Sequence, residues 1–207
     1  MKQRFATIRR SALAAAAAFA LVPSIASAQD KATVGNPVFD DLPSPDIKGA
    51  GKDKSFKPKD WLEVEVGFKI PGTAEQKKIG FINAVTVKWY VAMRNPDGKG
   101  VIKLTKTIEH INVPVDEEVF SSVYMSPSTM KRLTGKDKAG KSALEAAGVE
   151  VLVDGEKVGQ ATFKEKVGWW TAGSLSDQSD KFPLLNKNET PFQLFWYDRY
   201  AEIQKER

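Results

Sequence analysis

The stretch FINAVTVKWYVAMR (residues 81–94), followed by NPDGKG (95–100) and VIKLTKTIEHINV (101–113), decides the fold. In its first segment Val85, Val87, Trp89, Val91 and Met93 recur at every second position, opposite Thr86, Lys88, Tyr90 and Arg94. Successive side chains of a strand point to opposite faces, so this spacing predicts a strand with one buried face. Asn95-Pro96-Asp97-Gly98 then supplies the fixed φ of proline and the permissive φ of glycine that a chain reversal needs. Residues 101–113 return with β-branched side chains at nearly every other position, and the whole reads as a long β-hairpin.

Working outward, Leu62, Val64, Val66, Phe68 and Ile70 alternate with Glu63, Glu65, Gly67 and Lys69. This predicts a strand with one wet face, ended by Pro71-Gly72 and followed by a polar connection through Lys78. Downstream, Pro114 and Asp116 interrupt the pairing before a short strand over residues 119–125. Ser126-Pro127 has the pattern of an N-cap and first helical residue, Met130 and Leu133 lie one turn apart, and Gly135 closes that helix. Residues 142–147, ended by Gly148, read as a second short helical turn. Residues 149–153 and 157–163, joined at Asp154-Gly155, form a second hairpin.

The closing run Phe192-Gln193-Leu194-Phe195-Trp196-Tyr197-Asp198-Arg199-Tyr200 is compatible with two periods. Phe192, Phe195, Trp196, Arg199, Tyr200 and Ile203 would line one face of a helix. The β propensity of consecutive aromatics, and the proline before them, favour a strand apolar on both faces. In that strand Phe192, Leu194 and Trp196 point to the core, and Phe195 and Tyr197 lie against the preceding arm or a partner subunit. About seven antiparallel strands at such intervals predict a mainly β fold, an immunoglobulin-like antiparallel β-sandwich with a short helical insertion.

The chain divides into three. Residues 1–28 carry Lys2, Arg4, Arg9 and Arg10, an apolar run of about 15 residues too short to span a bilayer, and Ala26-Ser27-Ala28 as a cleavage pattern. This is the reading of a signal peptide that leaves no transmembrane anchor; Arg9-Arg10 leaves Sec and twin-arginine export both open. Residues 29–59 form a Pro/Gly-rich lead-in arm, and residues 60–207 the sandwich domain. The signal holds four of the 31 Lys and Arg and none of the 26 Asp and Glu, so the mature chain carries 27 cations against 26 anions, near +1. A balance of that kind gives no reason to expect a nucleic-acid partner. The absence of cysteine excludes disulfides, thiolate metal sites, a cysteine nucleophile and a lipid-modified cysteine.

Reactive constellations are sparse. His110 is the only histidine, too few for a zinc cage, and reads as a half-exposed strand residue. Ser128-Thr129-Met130-Lys131 matches Ser-x-x-Lys without the Ser-Asp-Asn and Lys-Thr-Gly elements that accompany it in penicillin-recognising enzymes. Asp40-Asp41 and Glu117-Glu118 are neighbours whose side chains would diverge on a strand, which does not suit a pair of glycosidase carboxylates. No calcium loop is present, and no cofactor is expected. Trp169-Trp170 offers flat aromatic faces beside Thr171, Ser174 and Asp177, suited to a sugar ring or a protein partner, with at most one of the two rings buried. The candidate binding surface is therefore Trp169, Trp170, Phe195 and Tyr197.

The signal peptide, the arm Phe39-Asp40-Asp41-Leu42-Pro43-Ser44-Pro45, the strand over 61–70, the helix opening Ser126-Pro127-Ser128 and the ending Asn188-Glu189-Thr190-Pro191-Phe192 with Trp196-Tyr197-Asp198-Arg199-Tyr200 occur together in this order. In this the chain resembles the secreted immunoglobulin-like proteins that accompany type IV pilus genes in mucin-degrading Verrucomicrobia of the Akkermansia type. The resemblance implies a non-catalytic structural or interaction protein, exported to the periplasm, outer membrane or cell surface. Its partners would be other envelope or pilus proteins or further copies of itself, and it brings no active residues to carry over. The alternative function is a carbohydrate-binding module that recognises mucin glycans through exposed aromatics. The export reading is checked by mass analysis of the exported protein: its N-terminus is expected at Gln29, and an intact Met1 or Lys2 would contradict the reading.

Overall fold

The computed structural model describes residues 31–46, 57–136 and 141–205; the segment expected to be a signal peptide and the middle of the lead-in arm lie outside the described residues. Its elements are β1 (Thr33–Val34), β2 (Val38–Pro43), β3 (Asp60–Lys69), α1 (Ala74–Ile79), β4 (Phe81–Arg94), β5 (Val101–Pro114), β6 (Glu118–Met125), α2 (Pro127–Thr134), β7 (Leu144–Val153), β8 (Glu156–Phe163), β9 (Ser176–Asp177), β10 (Leu185–Asn186) and β11 (Glu202–Ile203). They make a β-sandwich. In one sheet β3 lies between β6 and the pair β1 and β2, with β10 beyond β6. The other runs β11-β5-β4-β7-β8, with β9 added to β5. All pairings are antiparallel except that of β9 with β5.

The hairpin is as its period predicts. Strands β4 and β5 pair from Phe81↔Pro114 to Arg94↔Val101, and Val85, Val87, Trp89, Val91 and Met93 are fully buried against Leu62, Val64, Val66 and Phe68 of β3. The second hairpin turns at Asp154 (φ 50°) and Gly155 (φ 80°), the two left-handed residues that a tight two-residue connection requires. Helix α2 also matches its caps: Ser126 accepts a hydrogen bond from the Thr129 N–H at 3.2 Å, Pro127 opens it, and Met130 and Leu133 enter the core.

Four local expectations change. Part of the arm is an edge strand, β2 pairing with β3 from Val38↔Glu65 to Pro43↔Asp60. The polar connection before the hairpin holds helix α1, opened by a reciprocal capping box between Thr73 and Gln76 and closed by left-handed Gly80. The helical turn over 142–147 shrinks to Lys141–Ala143, because Leu144, Ala146 and Ala147 pair with Met93, Ala92 and Val91. A ready partner strand outweighs the helix propensity of alanine there. The aromatic ending is no strand at all: it folds as successive turns, with Phe195 N–H bonded to Phe192 O, Arg199 N–H to Trp196 O and Tyr200 N–H to Tyr197 O.

The two sheets are tied through the core by a chain of hydrogen bonds. His110, expected half-exposed, is buried, with Nε2 2.9 Å from Ser121 Oγ and Nδ1 3.1 Å from the Ala201 carbonyl. Trp89 Nε1 lies 3.3 Å from the same Ser121 Oγ. An indole N–H only donates and a carbonyl only accepts, so one pattern satisfies every atom: Trp89 donates to Ser121, Ser121 to His110 Nε2, and His110 Nδ1–H to Ala201. The chain runs from β4 through β6 and β5 to the segment after the aromatic run. Burial lowers the His110 pKa to about 4, against a smaller opposing effect of the backbone hydrogen bonds.

An unfolded histidine titrates near 6.5, so the unfolded chain binds the proton first and His110 favours the native state fully only above that pH. Its contribution, on the order of 3 kcal/mol, is lost as pH falls from about 6.5 to about 4. Chemical unfolding of the mature protein across that window should show the loss, and His110→Gln should flatten it. An identical slope in the two proteins would contradict the assignment.

Candidate functional site

The outward side of β3 is not the wet face its alternation suggests. Glu63 and Glu65 are only 8% and 9% exposed, because residues 185–203 run back across the outer face of the first sheet. Their carboxylates meet donors there. Tyr124 donates to Glu63 Oε1 at 2.5 Å and Tyr200 to the same oxygen at 3.1 Å; Tyr200 also reaches Glu65 Oε2, and Arg199 reaches Glu65 Oε1. Ser122 donates to Tyr124 at 2.9 Å. Burial raises the Glu63 pKa, against the Tyr124 hydrogen bond, and raises those of Tyr124 and Tyr200.

Aromatic packing completes the cover. Phe192, 3% exposed, stacks on Tyr124 at 5.5 Å and meets Trp61 edge-on at 5.8 Å, while the Arg199 guanidinium lies 3.7 Å over the Phe120 ring. Lys187 is buried beneath: its ammonium donates to the Phe195 carbonyl and sits 4.4 Å over the Tyr200 ring. Desolvation lowers its pKa, offset in part by the charges of Glu63 and Glu65. A capping box between Asn186 and Glu189 fixes the turn that carries Lys187.

This anchoring holds a projecting aromatic knuckle. Leu194, Trp196 and Tyr197 are 71%, 57% and 68% exposed, whereas Phe192 on one side and Tyr200 on the other are tied to the sheet. Trp196 adopts φ 51°, a left-handed backbone that bulky residues rarely take and that persists only when the surroundings dictate it. Leu194 and Trp196, expected in the core, thus face solvent. Phe195 is half-buried with its ring 5.8 Å from that of Trp196, and Tyr197 is exposed.

Trp169 and Trp170 lie on the opposite side of the sandwich. They sit on a short helical turn docked to the outer face of the second sheet, where Trp170, 3% exposed, stacks on Tyr90 at 4.8 Å and an interplanar angle of 3°. Gly148 makes room for it, since a Cβ there would come within 2.4 Å of the indole. Trp169 is half-buried, edge-on to Trp170 and donating to Thr162 Oγ1 at 3.2 Å. The four candidate residues therefore form no common surface: Phe195 and Tyr197 belong to the knuckle, and the tryptophan pair is a packing element with one partly accessible ring.

Sequence reasoning missed the anchor residues Glu63, Glu65, Tyr124, Lys187, Arg199 and Tyr200. Only the carboxylate repeat on β3 and the density of aromatics near the C-terminus signalled them. Among the described residues no group of three or more His, Asp or Glu is placed to hold a metal ion, and no helix is long and apolar enough to cross a membrane.

Comparison with known proteins agrees with this architecture. No curated protein matches the chain. The crystal structure of a protein from Akkermansia muciniphila superposes with a TM-score of 0.77 at 36% identity, over 86% of this chain and 94% of that one. A protein-family model matches residues 23–207, which takes in all of the arm and the sandwich, and the chain belongs to that family, with the Akkermansia muciniphila protein as a structural relative.

Proposed function

We propose that the chain is a non-catalytic interaction protein of the cell envelope, exported by its signal peptide, immunoglobulin-like in fold, and part of or accessory to a type IV pilus-like surface assembly. The observation that carries the interaction role is the knuckle. Leu194, Trp196 and Tyr197 present apolar and aromatic surface to water on a loop anchored at both ends by buried polar contacts. Exposed apolar groups that are this firmly held suit a docking contact, because little side-chain and loop freedom remains to be lost on binding.

The pairing order supports the immunoglobulin-like reading. Lettered as such a domain, β1 and β2 serve as A, β3 as B, β4 as C, β5 as C′, β6 as E, β7 as F and β8 as G. The neighbours A-B-E and C′-C-F-G then correspond to those of the immunoglobulin class, without its disulfide. The pilus and envelope part of the reading rests on the resemblance of the chain's ordered features, with which the Akkermansia muciniphila relative agrees in organism alone.

The test is proximity crosslinking on cells that export the protein, comparing the natural chain with a Leu194→Ser, Trp196→Ser double variant. Both positions are exposed, so each change should alter stability by no more than about 0.5 kcal/mol. The variant is expected to stay folded and lose its crosslinks to envelope partners. A folded variant with unchanged crosslinks would contradict the role of the knuckle.

A further inference from the structure

Beside the knuckle lies a half-open cleft of about 520 Å3, within the range of roughly 300–1,000 Å3 typical of small-ligand sites. Tyr197, Tyr200 and Ile203 give its lining aromatic and apolar surface, and Lys187, Asn188, Gln193, Glu202 and Lys205 give it polar groups. Part of that lining is fixed: Tyr200 is tied to Glu65 through its hydroxyl, and Glu202 and Ile203 pair with Ile111 and His110 of β5. The Asn188, Gln193 and Tyr197 side chains, by contrast, make no hydrogen bond to any described residue.

We propose that this cleft is a sugar-binding subsite that takes one neutral pyranose ring. A pyranose has an apolar face of C–H groups and an equator of hydroxyls, each both donor and acceptor. The accessible Tyr197 ring can stack on the first. The Asn188 and Gln193 amides each offer a donor and an acceptor to the second, and Glu202 and Lys205 add an acceptor and a donor. Of the charged groups that line the cleft, Lys187 is bonded to the Phe195 carbonyl and Glu202 accepts from the Asn112 amide at 3.0 Å, so the neutral amides of Asn188 and Gln193 dominate what is left to meet a ligand, which suits a polyhydroxylated neutral ring better than a phosphate or a carboxylate. The chemistry is separate from the Trp169-Trp170 pair, whose inner ring is occupied by Tyr90. The subsite goes beyond the docking role of the knuckle and does not rest on it.

Titration of the 15N-labelled mature protein with methyl glycosides of glucose, galactose and N-acetylglucosamine tests the assignment. At least one is expected to give saturable shifts centred on the amides of residues 188, 193 and 197, with a dissociation constant on the order of 1 mM. Tyr197→Ala should weaken that binding about tenfold while keeping a native spectrum, and Tyr197→Phe should retain it, since the ring face is the contact. Absence of saturable shifts with all three sugars, shifts centred elsewhere on the protein, or undiminished binding by folded Tyr197→Ala would each overturn it.

Discussion

Two carboxylates under a protein cover have to be met by donors, and the outer side of β3 is built around that requirement. Glu63 and Glu65 would face water if the first sheet ended the molecule there. With residues 185–203 laid over them, each would cost several kcal/mol if left unpaired. The covering segment and its own sheet bring the donors: Tyr200 and Arg199 from above, Tyr124 from β6 alongside. The same contacts that satisfy the acids therefore fix the path of the C-terminal segment, and the projection of Leu194, Trp196 and Tyr197 follows from that path.

The constraint extends into the core at Ala201. Its carbonyl accepts from His110, and its N–H donates to the Phe120 carbonyl at 3.0 Å. One residue of the covering segment is thus bonded to the outer rim of the first sheet and, through the His110–Ser121–Trp89 chain, to the interior between both sheets. Further along, Gln204 N–H donates to the Glu109 carbonyl on β5, and β11 extends that sheet edge. The neighbouring part of the same edge carries Lys106, whose side chain is paired with Glu189 at 2.9 Å. A lysine at this edge discourages further strand addition, so the exposed aromatics of the knuckle remain the more accessible route to a partner.

The parts of the fold governed by local rules were legible. The period of two in residues 81–113 placed Trp89 and its neighbours in the core, Asp154-Gly155 marked a turn, and Ser126-Pro127 with Gly135 bounded a helix correctly. The Thr73 to Gln76 capping box was equally local and could have revealed α1. What failed depended on long-range contacts. Alternation at Glu63 and Glu65 reports two faces but cannot tell whether the polar one meets water or the phenol of a residue more than a hundred positions away. In the aromatic ending, side-chain propensity favoured a strand, yet strand pairing there would leave both carboxylates without Tyr200 and Arg199. The Trp169-Trp170 pair was read as having at most one buried ring, which agrees with a buried Trp170 although the pair sits on a helical turn and not a strand, while the stacking partner Tyr90 and the space left by Gly148 had no local signature.

The central claim is that the C-terminal segment is a structural layer of the sandwich, as stable as the sheet it covers. Native-state hydrogen exchange measures this directly, because the amides of Ala201 and Gln204 are bonded to β6 and β5 and can exchange only when those bonds open. They should exchange with the same opening free energy as the central amides of β3, through global unfolding. Exchange of Ala201 and Gln204 at a much lower free energy, with β3 still protected, would show that the cover lifts off a sandwich that is complete without it and would contradict the account.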